Sequence, residues 1–196
     1  MSRAIKVLWS VAALVVLGAA AYYYWGVARA KPALAGTVLQ NPVTVSGLKL
    51  VDTAGREVDL AADFAGSVTL VFFGYTRCPD VCPLTMARLT RAYEILGAPA
   101  GLKVVMVSVD PGHDTPEVMA EYLSRYHPDF VGLTGTNSQV AEAARAFFVG
   151  YVGSGATVAH TDVVGVLDRR GSLRYIYGQD VVVKLGDDIP ELLREL

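Results

Sequence analysis

The chain has 196 residues, of which 53% are apolar, and two cysteines. A globular part of roughly 160 residues buries about 70% of its unfolded surface, so it folds without needing a disulfide. All 19 Asp and Glu lie beyond residue 31, against 13 of the 17 Lys and Arg, a net charge of −6 there; no Lys/Arg-rich block exists to track a phosphate backbone, and no nucleic-acid partner is expected.

The first element is apolar. Arg3 and Lys6 precede an uncharged run from Val7 to Ala28, and Arg29 and Lys31 follow it. At about 1.5 Å per helical residue, this run crosses a hydrocarbon core of about 30 Å. Tyr22, Tyr23, Tyr24 and Trp25 cluster at its far end, where amphipathic rings favour the membrane–water boundary. Small-residue patterns at Ala19–Ala21 and Ala28–Ala30 resemble signal cleavage sites. The run is longer than a secretory apolar region of about 7–15 residues, and the reading adopted is an uncleaved anchor over residues 1–30. Basic residues flank both ends equally, so the short N-terminal tail decides the topology. It places the chain as a single-pass protein of the cytoplasmic membrane, with the domain on the outer, periplasmic side where disulfides form.

Residues 31–43 read as a linker, with Pro32, Gly36 and Pro42 among small residues. A domain over 44–196 follows. Leu48–Asp52 and Glu57–Leu60 flank Thr53-Ala54-Gly55-Arg56 as a hairpin. Val68–Phe73 is a continuous apolar run, as in a central strand covered on both faces. Pro83 suits a first helical turn, and Met86, Leu89, Tyr93 and Leu96 form the helix's apolar stripe, stopped by Gly97. Leu102–Val109 is the next strand. Asp114 or Thr115 caps a helix reaching about Tyr126, with Pro116 at its start and Glu117 as capping-box partner of Asp114. Phe130–Leu133 is a short strand. Asn137 or Ser138 caps a helix with Val140, Ala143, Ala144, Phe147 and Phe148 on one side. Asp162–Asp168 and Ser172–Tyr177 form a hairpin around Arg169-Arg170-Gly171. Asp187-Asp188-Ile189-Pro190 opens a last helix, with acids at its positive end. Strands alternating with helices imply an α/β layer structure. The terminal hairpin and helix predict a thioredoxin-like sheet with an N-terminal β-hairpin extension, preceded by one transmembrane helix.

Both cysteines fall in one loop: Gly74-Tyr75-Thr76-Arg77-Cys78-Pro79-Asp80-Val81-Cys82-Pro83. In the predicted fold this loop follows the central strand and enters the next helix. A helix N-terminus carries unpaired N–H groups and partial positive charge, which favours a thiolate. Thiolates are soft ligands for Cu(I) or zinc, and also the halves of a reversible disulfide. Inert buried thiols or a small structural disulfide are the bland alternatives. His160 sits downstream in an apolar stretch, approached through Val152-Gly153-Ser154-Gly155-Ala156. Two Cys and one His make a trigonal set, which favours copper over a closed four-ligand zinc site. A lone histidine in such a place is more often a core or loop residue than a ligand, and the three residues gain weight only together. Asp80 is read as bonding nearby loop N–H groups, with a partner contact as its second reading; Tyr75 and Phe73 as packing; His113 and His127 as surface or capping residues.

The ten-residue cysteine loop closely resembles the signature of the Sco/SenC family of copper chaperones. Val109-Asp110-Pro111-Gly112-His113-Asp114-Thr115-Pro116 resembles that family's Asp-Pro…Asp-Thr-Pro segment, and Leu133-Thr134-Gly135 and His160-Thr161 also match, over about residues 43–190. The resemblance implies a membrane-anchored protein that binds one copper, as Cu(I) and also Cu(II), through Cys78, Cys82 and His160. It implies delivery to the dinuclear copper site of cytochrome c oxidase, whose copper-receiving subunit is then the partner, together with another copper donor protein. The alternative is a thiol–disulfide oxidoreductase using Cys78 and Cys82 as a redox pair on the receiving partner's cysteines. A peroxiredoxin-like peroxidase ranks last, because Thr76-Arg77-Cys78 lacks the Thr-x-x-Cys spacing. Two positions depart from the family pattern: Ala159 stands where an Asp often precedes the histidine, and His113 stands where Arg is usual.

Overall fold

The computed structural model describes residues 2–29, 33–153 and 159–196. The chain forms two units, Met1–Ala33 and Leu34–Leu196. The first holds helix α1 (Arg3–Arg29), whose stretch Arg3–Gly26 is long and apolar enough to cross a membrane. Residues 30–32 of the expected linker lie outside the described residues.

The second unit is built on one eight-stranded sheet. Its strands are β1 (Thr37–Thr44), β2 (Lys49–Asp52), β3 (Glu57–Asp59), β4 (Val68–Gly74), β5 (Leu102–Ser108), β6 (Val131–Thr134), β9 (Val163–Leu167) and β10 (Ser172–Gly178). Their spatial order is β1-β10-β9-β4-β5-β6-β2-β3. β7 (Tyr151–Val152) and β8 (Ala159–His160) form a separate two-stranded ladder. The helices are α2 (Val81–Ile95), α3 (Pro116–Leu123), α4 (Asn137–Ala146) and α5 (Leu185–Glu195). This is the thioredoxin-like α/β arrangement, with the β2–β3 hairpin added beyond β6.

β4 lies at the centre, parallel to β5 and antiparallel to β9. Every residue of β4 is buried, as its unbroken apolar run requires. The core holds Leu70, Phe72, Phe73, Met106, Leu133 and Phe147, none more than 1% exposed. Among the described residues all buried apolar side chains lie between Val45 and Leu192. The core of the second unit is thus built from that unit's own residues.

Several sequence expectations change here. Residues 37–43, expected in the linker, belong to strand β1, which pairs with β10 across a register shift between Val38 and Val43. Thr115, not Asp114, caps α3: its hydroxyl accepts the Val118 N–H, and Glu117 accepts the Thr115 hydroxyl at 2.8 Å. Thr136 caps α4 in a capping box with Gln139, displacing the expected Asn137 or Ser138. Phe147 is buried as expected, but Phe148 is 60% exposed.

The ring of Phe147 packs at 5.1 Å from that of Phe73 and lies directly on β9. A Cβ at Gly165 would stand 2.5 Å from Phe147 Cδ1 and 2.9 Å from Leu173 Cδ1, so only glycine admits the ring. Gly165→Val should destabilise the domain by about 1–3 kcal/mol through overpacking. Urea unfolding checks this as a lowered midpoint with unchanged slope.

Candidate metal centre

The cysteine loop leaves the sheet at the end of β4, where Gly74 O accepts the Val109 N–H at 2.9 Å. The chain then turns back, with Cys78 N–H bonded to Tyr75 O at 3.2 Å, and enters α2 at Val81. Pro83 falls in the first turn, where a missing N–H costs nothing. A Cβ on Gly74 would lie 3.1 Å from Cys82 Sγ and 2.7 Å from Phe72 Cε1. Glycine here lets the Cys82 sulfur settle against the strand end, and Cys82 is fully buried.

The helix start is unusual. Asp80 occupies the capping position yet makes no side-chain cap bond, contrary to the role expected of it. Cys78 Sγ accepts the Cys82 N–H instead, at 3.4 Å. The sulfur thus stands where a capping oxygen normally would. Burial opposes ionisation of Cys78. The Cys82 thiol and the backbone N–H groups of Asp80, Cys82 and Val81 outweigh it, and the Cys78 pKa falls below the ordinary thiol value. Burial pushes the Cys82 thiol the other way, reinforced by its hydrogen bond with Cys78. The two cysteines are both free.

β4 and β9 run antiparallel, with Phe72 opposite Val164, so the start of β9 meets the end of β4. His160, three residues before β9, is carried to the cysteine loop by that pairing. Its Nε2 lies 3.5 Å from Cys82 Sγ. Its Nδ1 lies 3.2 Å from Thr161 O. A carbonyl can only accept, so this contact takes the proton on Nδ1, and the tautomer that carries it there alone turns its Nε2 lone pair toward Cys82 Sγ. The ring stands edge-on to Tyr75 at 5.9 Å. Tyr75, read as packing, is buried, and its phenol is pushed up by burial and by the neighbouring Cys78.

Ligand atoms of Cys78, Cys82 and His160 all lie within 4.8 Å of one another. Thiolate and imidazole bonds of about 2.0–2.3 Å place the atoms of a trigonal set roughly 4 Å apart. Two soft sulfurs and one neutral imidazole, in this space, suit a single soft or borderline ion. Cys78 and His160 are half-buried and face the surface; Cys82 is the closed corner.

A second set of residues positions the loop and was not legible as such. Buried Asp114 accepts from Thr76 N at 3.0 Å, Thr76 Oγ1 at 2.6 Å and Ser108 Oγ at 2.7 Å. His113 Nδ1 lies 3.0 Å from Asp114 Oδ1, the oxygen that accepts the Thr76 hydroxyl. Beside it, Arg77 Nη2 donates to Asp110 at 2.7 Å. The two residues before Cys78 are thus tied to the loop after β5. Asp110, His113 and Asp114 also cluster within 4.8 Å, but these hydrogen bonds already use the carboxylates. Asp162 approaches the site from β9's entry; burial pushes its carboxyl up, against the pull of His160 and Arg88. The expected flexible approach at Ser154–Ala156 lies outside the described residues.

The SCO1/SenC family model matches residues 38–185. The chain belongs to the SCO1/SenC family. A SCO2-like protein of Rickettsia felis is 34% identical over 154 residues, covering 76% of this chain and 74% of the relative. The solution structure of apo Sco1 from Thermus thermophilus is similar at a TM-score of 0.73 and 39% identity, over 85% of this chain and 99% of that one. The crystal structure of Arabidopsis thaliana ScoI with copper bound is similar at a TM-score of 0.71 and 28% identity, over 78% and 100%. The family match thus spans both the cysteine loop and His160.

The opposite shifts of the two thiols give a direct test. In the reduced protein, iodoacetamide should modify Cys78 before Cys82, with a rate midpoint below about pH 8.5, the ordinary thiol value. Peptide mapping of partly alkylated protein reads the order; equal or reversed labelling would contradict the assignment.

Proposed function

We propose that this protein carries one copper ion on Cys78, Cys82 and His160 and hands it to the dinuclear copper site of cytochrome c oxidase. The observation that carries the reading is the convergence of two sulfurs and an imidazole whose other nitrogen is already fixed by Thr161 O. Copper is cargo here. Cu(I) suits three soft or borderline donors, and Cu(II) takes the same set with an added oxygen. The copper-bound Arabidopsis relative and the family match support this choice of metal over zinc. The oxidase subunit as recipient, and another copper protein as donor, follow from the Sco/SenC resemblance.

A second reading is favoured by one observation. A lowered Cys78 beside a raised Cys82 is the division of labour between an attacking and a resolving thiol. Thiol–disulfide exchange on the recipient's cysteines uses that pair and has no need of His160.

The reduced domain, residues 32–196, should bind one Cu(I) per chain. Cys78→Ser or Cys82→Ser should abolish specific binding. His160→Ala should weaken it by about tenfold or more, the scale on which altered metal surroundings act, while leaving thiol exchange intact. Oxidation of the two metal-bound thiolates to the Cys78–Cys82 disulfide by an added two-electron oxidant takes two electrons from the sulfurs, leaves no thiolate ligand and should release the metal. Chelator competition and reduction of an oxidised recipient peptide measure the two activities on the same variants. Full one-to-one binding by the double serine variant would defeat the copper reading. A His160→Ala variant with wild-type affinity but no reductase activity would reverse the order of the two readings.

The apolar helix α1 supports membrane anchoring. We read it as a retained single-pass anchor that holds the domain on the outer face of the cytoplasmic membrane. Intact-mass measurement of the native protein should find Val7–Ala28 present; an N-terminus anywhere after Ala21 would refute this.

A further inference from the structure

The segment Val109–Pro116 contributes none of Cys78, Cys82 and His160, yet it buries two carboxylates beside the cysteine loop. Asp110 is 6% exposed and Asp114 is fully buried. Burying a carboxylate is costly unless its oxygens are bonded, and here the bonds go to the residues before Cys78. Thr76 is gripped twice: Asp114 Oδ2 accepts its N–H at 3.0 Å, and Oδ1 accepts its hydroxyl at 2.6 Å. A hydroxyl bonded to a carboxylate at this length is a strong contact. Arg77 donates to Asp110 at 2.7 Å. Ser108 joins the two acids, its hydroxyl donating to Asp114 at 2.7 Å and accepting the Asp110 N–H at 3.0 Å. Ser108 ends β5 and stands opposite Gly74 at the end of β4. The clamp on Thr76 and Arg77 therefore rests on the two central strands.

Disulfide formation needs a movement that this clamp resists. Both sulfurs are free, and an S–S bond of about 2.05 Å draws them together. Cys82 can give little of that movement. Its sulfur is buried against the end of β4, where a Cβ on Gly74 would stand 3.1 Å from it. It also belongs to α2, which is fixed in the core by Met86 and Leu89. The movement falls to Cys78, which is half-buried, precedes α2 and directly follows Thr76 and Arg77. From the other side, the Cys82 N–H holds the Cys78 sulfur at 3.4 Å.

We propose that Asp114 and Asp110 are positioning residues which, acting through Thr76 and Arg77, hold Cys78 where the pair stays a dithiol ready for a metal and oppose its closure to the disulfide. That the dithiol is kept for a metal rests on the copper-cargo reading; the bias itself is a property of the metal-free chain. With oxidised dithiothreitol as oxidant, an S–S bond forms between Cys78 and Cys82 and the reagent's cyclic disulfide opens. Two electrons and two protons pass from the two thiols to the reagent. A clamp that favours the dithiol shifts this exchange toward the reduced protein.

The test is a redox titration of the metal-free full chain in detergent, in dithiothreitol buffers, with the disulfide fraction read by thiol trapping and mass. Thr76→Val keeps the backbone N–H bond and loses the hydroxyl bond; Arg77→Ala loses the bond to Asp110. Neither residue belongs to the buried core, so both variants fold. Each should favour the disulfide about tenfold, a potential lower by about 30 mV, and the double variant should favour it further. Thr76→Ser keeps the hydroxyl and should stay at the wild-type potential. Cu(I) affinity by chelator competition should fall in Thr76→Val and Arg77→Ala and hold in Thr76→Ser. Leu50→Ala, at a core position on β2 three strands from β4, should lower the melting temperature and leave the potential unchanged. Wild-type potentials in Thr76→Val and Arg77→Ala would overturn the proposal, as would a disulfide disfavoured in either. So would an equal shift in Leu50→Ala, which would make the effect one of general loosening. A wild-type chain that holds no Cu(I) would instead overturn the copper reading, and the metal-free titration still decides the clamp.

Discussion

β4 and β9 run side by side in opposite directions, and the metal centre depends on that pairing. The cysteine loop leaves the end of one strand, and His160 precedes the start of the other. They are separated by 78 residues in the chain, yet the register Phe72↔Val164 brings both to one edge of the sheet. Full burial of β4 makes this register hard to slip, because a one-residue shift would turn every side chain to the wrong face. Gly165 allows Phe147 to lie over the pair, and Gly74 allows the Cys82 sulfur to close against it. The ligands meet because the centre of the sheet is packed, with glycine at the two points of closest approach.

Electrostatics then divides the two cysteines. Cys82 is buried, which pushes its thiol up; Cys78 stands at the helix entrance, where the neighbouring thiol and backbone N–H groups bring it down. Asp80, which has the side chain to cap the helix, does not do so, and the sulfur receives the helix N–H in its place. The Asp114 and Asp110 clamps hold Thr76 and Arg77, so Cys78 is presented from a fixed loop. The sulfur is thereby preorganised without the carboxylates touching it, which leaves it open to a soft cation.

The central elements were legible because each carries a strong local pattern. Val68–Phe73 is too apolar to be anything but an interior strand, and Leu102–Val109 follows the same rule. The cysteine pair was legible through its position after such a strand. The parts that were not legible are set by distant partners. β1 is mostly exposed, contains Pro42 and pairs across a register shift, so it shows no alternation and reads as a linker. β7 and β8 have two residues each, too few for any period. Asp114 looks like a helix cap because Thr-Pro follows it. Only the fold reveals that Thr76, 38 positions earlier, supplies its hydrogen bonds. The cap itself falls to Thr115, and at α4 to Thr136, each one residue away from a plausible rival. Phe148 follows the apolar periodicity of α4, but the helix ends at Ala146, two residues short of it.

Cys78, Cys82 and His160 are held with unequal strength. Cys82 belongs to a helix packed on the sheet and touches the strand end. Cys78 is fixed by the loop clamps and by its bond from the helix. His160 rests on a ladder of two pairs, Tyr151↔His160 and Val152↔Ala159, extended by the Thr161–Gly150 bonds. Short two-stranded ladders are marginal in water, and local opening falls first on such elements. On the copper reading, the sulfurs give the ion a fixed seat and the imidazole is the ligand most easily exchanged. An incoming ligand need then displace only the donor held by the weakest element, while the thiolates keep the ion from escaping to solvent. Release that begins at the imidazole places the partner on the His160 side of the site.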